Sequence, residues 1–232
     1  MKLKIYSVLI LSIFTLKLNS QTANTIIFKV YKKMMLANDY SVDAKIKSDI
    51  PMIKILPVNA KVYFKQKDKF KIESKSIAIL PKQGFSDFSK TIKDTNSYFA
   101  MIAGEEMVNK TKTMIINLIP KMDTGDLVLA KFWVNKEQSL VYKSQLTTKS
   151  NGTMLIDYFY FNTEPQKYGL SDSMVFTVDV KKFKIPKAVA ADLNKTKSSN
   201  NSNDKPVKKG KIYIRFKNYA INKGISDKVF AK

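Results

Sequence analysis

Two residue types are missing from this chain: its 232 residues include no cysteine and no histidine. Their absence excludes a disulfide framework, a Cys/His zinc site and any catalytic centre built on a histidine base or a cysteine nucleophile. Acid–base chemistry would have to use carboxylates, lysines or tyrosines. The sequence is therefore a poor candidate for most familiar enzyme classes.

Arginine is almost missing as well, since Arg215 alone represents it among 41 basic residues. The 19 acidic residues leave a formal net charge of +22, which predicts attraction to polyanions such as nucleic acid, anionic lipid or acidic glycan. Lysine is a strongly hydrated point charge, whereas arginine supplies the fork that reads guanine edges and clamps phosphates. The composition therefore argues against a nucleic-acid-binding protein.

Long hydrophobic runs are also scarce, and the run near the amino end has a particular layout. Lys2 and Lys4 precede an apolar run from Ile5 to Leu16, and a short polar exit follows. This layout is typical of a secretory signal peptide, and the run is too short, and interrupted too soon by Lys17, to span a bilayer. We therefore expect residues 1–20 to be cleaved and the protein to work in the periplasm.

The rest of the chain predicts one strong helix followed by about eleven strands. The stretch Thr25 to Asn38 carries apolar residues at helical spacing, which predicts an amphipathic helix with Thr25 as its N-cap. Beyond Asn38, apolar and polar residues alternate in short segments, as in strands with one buried face. The segments are Tyr40–Lys47, Ala60–Gln66, Lys69–Ser74, Ser76–Leu80, Tyr98–Met107, Thr111–Ile119, Leu127–Val134, Leu140–Thr148, Thr153–Phe161, Ser173–Val180 and Lys211–Tyr219.

Short turns between these segments predict antiparallel meanders. Asn135–Gln138 and Asn151-Gly152 are the clearest, because Asn-Gly tolerates positive φ at both positions. The polar stretch 192–210 contains too few apolar residues to order itself, so we expect a mobile loop there. Since alternation resumes at Ile212, the last strand should return to the same sheet, and residues 21–232 should form a single domain.

These elements predict a mainly β fold of the α+β kind, in which the apolar face of an antiparallel sheet must be covered. One strong helix is too little to fill a strongly curved sheet of this size. The sequence therefore permits a cavity for an apolar ligand. An ordinary filled core is equally compatible with the strands, because protein interiors usually pack densely.

Candidates for chemistry are few. Glu105 and Glu106 are adjacent on a predicted strand, where neighbours point to opposite faces and cannot form an acid–base pair. Asp123 and Asp126 flank a turn and lack further oxygen ligands nearby. We predict no catalytic residue, no metal site and no cofactor.

Several stretches match the element pattern of one family of exported proteins. They are the helix leading into Asp39–Ala44, the strand end Lys131–Lys136, the strand Leu140–Lys143 with the Asn151-Gly152 turn into Ile156–Phe159, and the ending Lys182–Asp192, where Ala188 replaces a glycine. Together they resemble the periplasmic carriers of outer-membrane lipoproteins, the LolA-like family, over most of the chain.

The resemblance implies an unclosed β-barrel covered by an N-terminal helix and short helices. Its apolar concave side would accept the acyl chains of lipoproteins, taken from an inner-membrane ABC transporter and delivered to an outer-membrane acceptor. This sequence departs from the family twice. The carriers place an arginine that latches the helical lid on an early strand, where this chain has only lysines, and this chain extends beyond the family's ending.

The leading hypothesis is a monomeric, non-catalytic periplasmic carrier whose cargo is acylated lipoprotein. The same residues could instead form plain core. An envelope stress sensor or scaffold of the same fold, and a secreted polyanion-binding protein, remain alternatives. The candidate cavity positions are the inward members of the alternating strands: Tyr40, Val42, Ala44, Ile46, Val62, Phe64, Phe99, Met101, Met114, Ile116, Leu118, Met154, Ile156 and Tyr158.

Overall fold

The computed structural model describes residues 22–51, 56–67, 69–75, 92–123, 125–150, 152–179 and 209–231. The elements, in chain order, are helix α1 (Ala23–Met34), strands β1 (Asp39–Asp49), β2 (Val58–Lys65), β3 (Lys69–Ser74), β4 (Tyr98–Val108), β5 (Thr111–Pro120), β6 (Leu127–Asn135), β7 (Leu140–Thr148) and β8 (Gly152–Phe159), helix α2 (Thr163–Lys167), strands β9 (Ser173–Asp179) and β10 (Lys209–Ile221), and a 3-10 turn at Asp227–Phe230.

Helix α1 is the amphipathic helix that the sequence predicts, although both of its ends differ from the prediction. The hydroxyl of Thr22 accepts a hydrogen bond from the Thr25 amide at 3.2 Å, so Thr22 is the N-cap and Thr25 lies inside the helix. The helix ends at Met34, before Asn38. Its buried residues recur at helical spacing and are Ala23, Ile26, Ile27 and Val30.

The ten strands form one antiparallel sheet in the order β3-β2-β1-β10-β9-β8-β7-β6-β5-β4. In the part of the chain that is described, the edge strands β3 and β4 do not pair with each other, so the sheet is not closed into a barrel. This confirms the mainly β, unclosed architecture that the sequence predicts. The additional predicted strand, Ser76–Leu80, lies outside the described residues.

The sheet curves around α1. A flat sheet would separate β4 from β1 by seven steps of about 4.8 Å, roughly 34 Å in all. Helix α1, with 12 residues, is only about 18 Å long. It nevertheless contacts β4, while its Val30 and Met34 line one cavity with Tyr40 and Val42 of β1. The face that packs on α1, called the inner face below, is therefore concave.

Strand β10 lies between β1 and β9, as expected for a strand that returns to the same sheet. Its register with β1 pairs Ala44 with Phe216 and Ile46 with Ile214, and all four side chains are buried in the core. The predicted loop 192–210 lies outside the described residues except for its last two positions, which begin β10. Neither α1 nor α2 is long and apolar enough to cross a membrane.

Candidate functional site

A cavity lies between α1 and the inner face of the sheet. Its volume, counted as the space open to the centre of a water molecule, is about 80 Å³. One water needs only about 10–15 Å³ on this measure, so the space is large enough for several waters but small for a long acyl chain. The lining residues are Val30, Met34, Tyr40, Val42, Val62, Ser139, Leu140, Val141, Tyr158, Tyr160, Gly169, Leu170, Ser171, Met174, Phe216 and Tyr219.

Among the described residues that line the cavity, none has a charged side chain. Aliphatic, thioether and aromatic groups make up most of it, and two serines and four tyrosines supply the side-chain hydroxyls. These described residues can hold an apolar ligand and a few hydrogen-bonding groups, but none of them could neutralise an anion. This composition favours apolar ligands over anionic ones.

Three of the four cavity tyrosines use their hydroxyls within the protein. These pairs are Tyr158 with the Ser144 hydroxyl at 3.1 Å, Tyr160 donating to the Val141 carbonyl at 2.8 Å, and Tyr219 donating to the Ser171 carbonyl at 2.8 Å. The three bonds fix ring positions on neighbouring strands and loops. These three hydroxyls are therefore already paired within the protein.

Burial further favours the neutral form that these phenols already have at physiological pH. It raises the pKa of Tyr158 to about 12 and is the main reason that the pKa values of Tyr40, Tyr160 and Tyr219 are raised as well. All four hydroxyls therefore stay neutral at physiological pH. They can donate hydrogen bonds but carry no charge.

Ser171 differs from Tyr158, Tyr160 and Tyr219 because its hydroxyl makes no hydrogen bond with the described residues. The residue is 1% exposed, and its Oγ makes no hydrogen bond. The loop is held by the next residue, Asp172, whose carboxylate accepts from the amides of Phe161 at 2.6 Å and Asn162 at 2.9 Å. The side-chain amide of Asn162 donates to the same carboxylate.

Helix α1 is tied to the sheet by three side chains. The ammonium of Lys33 donates to the Gln138 carbonyl in the β6–β7 turn at 2.7 Å. The amide of Gln66 donates to the Met35 carbonyl at 2.8 Å, and Asn222 binds the backbone after the helix. Burial lowers the pKa of Lys33. In the described residues these polar ties, and not an arginine, hold the helix.

Twelve of the predicted inner positions do face the core, and they differ in whether they line the cavity. Tyr40, Val42, Val62 and Tyr158 line the cavity. The others do not line it: Ala44, Ile46, Ile116, Leu118 and Ile156 are fully buried core, Met114 and Met154 are half-buried against that core, and Phe64 stacks on Tyr40 with ring centroids 5.1 Å apart. The lipid-binding role of these residues stays a prediction.

Phe99 and Met101 are wrongly placed by the sequence analysis. They are 61% and 49% exposed, whereas Tyr98 and Ala100 of the same strand pack in or against the core. Strand β4 therefore has the opposite alternation to the one assumed. Its two apolar sets are similar in hydrophobicity, so alternation alone could not identify the inward one.

The acidic pairs are occupied by structural contacts. Glu105 lies 2.7 Å from the Lys112 ammonium, while the Glu106 carboxylate accepts from the indole nitrogen of Trp133 at 2.5 Å. Asp123 pairs with Lys149 at 2.7 Å. Across the described ranges, no three acidic residues come together in a way that could hold a metal ion.

The sequence analysis missed more than half of the cavity wall. Phe216 and Met174 lie on strands that it did identify, and their inward position follows from alternation. The loop residues Ser139, Gly169 and Ser171 follow no period, so nothing in the sequence marks them. Gly169 has a positive φ of 68°, and a Cβ there would lie 3.3 Å from Met34 Cγ, so glycine allows α1 to approach this loop.

The face of the sheet opposite α1 carries a group of cations on β1, β2 and β10, in which the acid Asp43 stands across from both Lys61 and Lys217. Lys45 on β1 stands directly across from Arg215 on β10, and the neighbouring outward positions Lys47, Lys61 and Lys217 are also cationic and exposed. Like charges directly opposite each other in a sheet are unfavourable. No ion pair within the described residues neutralises Lys45 or Arg215.

No family model matches the sequence, and no curated protein matches it either. Solved structures do match. A LolA superfamily protein from Nitrosomonas europaea aligns with a TM-score of 0.58 and 12% identity over 91% of this chain and 98% of its own. A DUF1329 family protein from Desulfovibrio piger aligns with a TM-score of 0.55 and 12% identity over 91% of this chain and 98% of its own.

A domain assigned to outer membrane lipoprotein sorting, from Vibrio parahaemolyticus, aligns with a TM-score of 0.55 and 7% identity over 88% of this chain and 95% of its own. Identities this low are informative about the fold alone. The alignments nevertheless span nearly the whole of each matched chain, and the matched proteins include two that carry LolA or lipoprotein-sorting descriptions. The open ten-stranded sheet wrapped around α1 is therefore a LolA-like fold.

Proposed function

We propose that this protein is an exported, non-catalytic carrier that shelters the acyl chains of lipoproteins and moves them from the inner to the outer membrane. The observation that carries the proposal is the cavity between α1 and a concave sheet, whose described lining residues are mostly apolar and uncharged. The LolA-like fold supports it. A carrier needs such a shelter because each exposed methylene of an acyl chain costs about 0.8 kcal/mol.

The cavity is too small for a complete acyl chain with α1 in its present position. Displacing the helix would expose Ile26, Ile27 and Val30, at a cost of roughly 6 kcal/mol at about 2 kcal/mol per side chain. A bound chain of about a dozen methylenes would return roughly 10 kcal/mol. The two terms are of similar size, so cargo can replace the helix and the helix can replace the cargo.

This exchange is the basis of the proposed transport cycle. Cargo taken from an inner-membrane ABC transporter would displace α1, and an outer-membrane acceptor with a more favourable apolar site would remove the cargo and let α1 return. No covalent step is needed. The protein would act in the periplasm as a monomer, and the charged outer face would keep it in water.

The test is uptake of a fluorescent acyl probe by delipidated protein, together with mass spectrometry of organic extracts from protein purified out of its own envelope. We expect saturable uptake and acyl species in the extract. The variant Val42→Phe, which fills the cavity, should lose most of the uptake. Val128→Phe makes the same change at an exposed valine and should not. Absence of both uptake and acyl species would contradict the proposal.

The basic outer face favours a second candidate, a polyanion-binding protein. The opposed pair Lys45 and Arg215 would be stabilised by an anionic partner laid across the two strands. Retention on heparin should then weaken steeply with salt. The double change Lys45→Gln and Arg215→Gln should lower this retention more than a Lys→Gln change at any one exposed lysine elsewhere. Equal retention of the double variant and the wild type would remove this candidate.

A further inference from the structure

The face of the sheet turned away from α1 carries an apolar patch at its β4 edge. Phe99 of β4 stands directly across from Ile119 of β5, and the two side chains are 61% and 40% exposed. Met101 lies two residues further along β4, points the same way and is 49% exposed. The alternating residues Tyr98 and Ala100 pack in or against the core. Large apolar side chains exposed together on one face usually mark a binding surface, so we call these three residues the outer apolar patch.

Two lysines lie beside the outer apolar patch. The ammonium of Lys121 is 5.1 Å from the centroid of the Phe99 ring. Asn117 of β5 stands across from Met101 on one side and from Lys131 of β6 on the other, so Lys131 lies two strands from the patch on the same face. The surface therefore combines exposed apolar groups with cations at their border.

An anionic lipid surface is complementary to this combination. In interfacial binding, apolar side chains enter the boundary between headgroups and acyl chains, while lysines stay at headgroup level and attract anionic lipids. The long stem of Lys121 allows its ammonium to reach the headgroups while the Phe99 ring beside it is buried. Glu106 is also on this face, but it lies towards the far end of β4 with its carboxylate bonded to the Trp133 indole. Because the inner face is concave, this face is convex and can present its patch to a flat bilayer.

We propose that the outer apolar patch docks the protein reversibly on an anionic lipid surface. Its three apolar side chains enter the interface, and Lys121 and Lys131 face the headgroups. This inference goes beyond the proposed function, because the patch and the cavity lie on opposite faces of the sheet. Docking therefore requires neither cargo nor movement of α1.

The experiment is flotation of delipidated full-length protein with two kinds of vesicle, phosphatidylcholine alone and phosphatidylcholine mixed with phosphatidylglycerol. Wild-type protein should bind the mixed vesicles more tightly. Phe99→Ser should weaken this binding by about 10-fold, the effect of burying most of one large apolar side chain. Phe161→Ser makes the same change at a phenylalanine that is 75% exposed elsewhere, and this variant should bind as the wild type does.

Two further measurements separate the patch from the general positive charge of the protein. Lys121→Gln should lower the preference for mixed over neutral vesicles by about 5-fold, whereas Lys29→Gln on the exposed side of α1 should change it less. Since the chain has no cysteine, Met101→Cys and Phe161→Cys each accept a single environment-sensitive fluorophore. Mixed vesicles should shift the emission to the blue at position 101 and leave it unchanged at position 161.

Failure of the wild type to bind mixed vesicles, or equal binding by Phe99→Ser and the wild type, would overturn the inference. Loss of binding in the double variant Lys45→Gln and Arg215→Gln, with Phe99→Ser unaffected, would overturn it too, because the lipid would then contact the cations of β1 and β10. None of these results bears on uptake of the acyl probe into the cavity, so the proposed function stands or fails separately.

Discussion

The side chain of Asn222 accepts a hydrogen bond from the backbone amide of Asn38 at 2.7 Å. The side-chain amide nitrogen of Asn222 also donates to the Leu36 carbonyl at 2.9 Å. Asn222 follows β10 with a positive φ of 55°, a conformation that asparagine tolerates well. The carboxylate of Asp39 completes the contact by accepting from the amides of Lys223 and Gly224. The segment after β10 therefore holds the end of α1.

We expect this contact to stabilise the closed position of the helix. Asn222→Ala removes the hydrogen bonds to the Asn38 amide and the Leu36 carbonyl and a longer one, 3.5 Å, to the Asp39 amide. It should lower the free energy of unfolding by about 1–2 kcal/mol, measured by urea denaturation. It should also speed amide hydrogen exchange in the last turn of α1. Asn59→Ala is the control, because Asn59 is exposed on a strand. Equal effects of the two changes would contradict the role of Asn222.

Lys33 should affect the rate at which the cavity opens more than the stability of the protein. Lys33→Met keeps an apolar side chain at this half-buried position but removes the bond to the Gln138 carbonyl. We predict faster entry of an acyl probe in stopped-flow fluorescence and a stability change below about 1 kcal/mol, the value of one hydrogen bond. Lys29 lies on the exposed side of α1, so the probe should enter the Lys29→Met variant at the wild-type rate. Equal rates of probe entry in the two variants would show that the Lys33 hydrogen bond does not control opening of the cavity.

The adjacent glutamates of β4 should differ in their contribution to stability. Glu106 accepts from Trp133, which is 4% exposed and carries the Lys131 and Lys143 ammoniums 4.7 and 4.8 Å from its ring centroid. Glu106→Ala leaves the indole donor without its partner, so we expect a loss of about 1–2 kcal/mol in urea denaturation.

Glu105 provides the control for that measurement. It pairs with the exposed Lys112, and such surface pairs contribute roughly 0–1 kcal/mol. Glu105→Ala should therefore cost less than Glu106→Ala. If the two alanine variants unfold at the same urea concentration, the indole contact does not stabilise the sheet.

Asp157 should make the protein less stable when it is ionised. Burial raises its pKa above the ordinary 3.8, with Lys143 and Lys211 opposing the shift only in part. A carboxyl with a raised folded-state pKa favours folding most when protonated, so its cost is present at neutral pH and disappears as the pH falls through the folded value towards 3.8.

Asp157→Asn should therefore be more stable than the wild type at pH 7, and the difference should shrink at pH 4. Urea denaturation at the two pH values measures it. A variant that is less stable than the wild type at pH 7 would show that the two lysines outweigh burial.

Much of the fold follows from periodicity. Ten of the predicted strands occur, because each must turn one apolar face inward and a one-residue slip would expose it. The ends of α1 were harder to predict, since Thr22 and Thr25 are equally good N-cap residues and only the hydrogen bond between them identifies the cap. The turns at Asn135–Gln138 and before Gly152 occur where the sequence predicts them.

The site was less predictable than the fold. Strand β4 is exposed on both faces over most of its length and contains a register shift between Ile102 and Gly104, so its alternation in the sequence does not show that Tyr98 and Ala100 face inward. Ser171 lies in a loop between α2 and β9, where side-chain direction depends on tertiary contacts such as those of Asp172. Neither feature has a sequence period, which is why both were missed.

The central claim is that cargo takes the space of α1, and it can be measured directly. Because the chain has no cysteine, Lys29→Cys on α1 and Lys211→Cys on β10 introduce two unique exposed sites for spin labels. Double electron–electron resonance then gives the distance between helix and sheet with and without saturating acyl ester. We predict a single short distance without ligand and a longer, broader one with it. A distance that stays the same while the ester is bound would contradict the account.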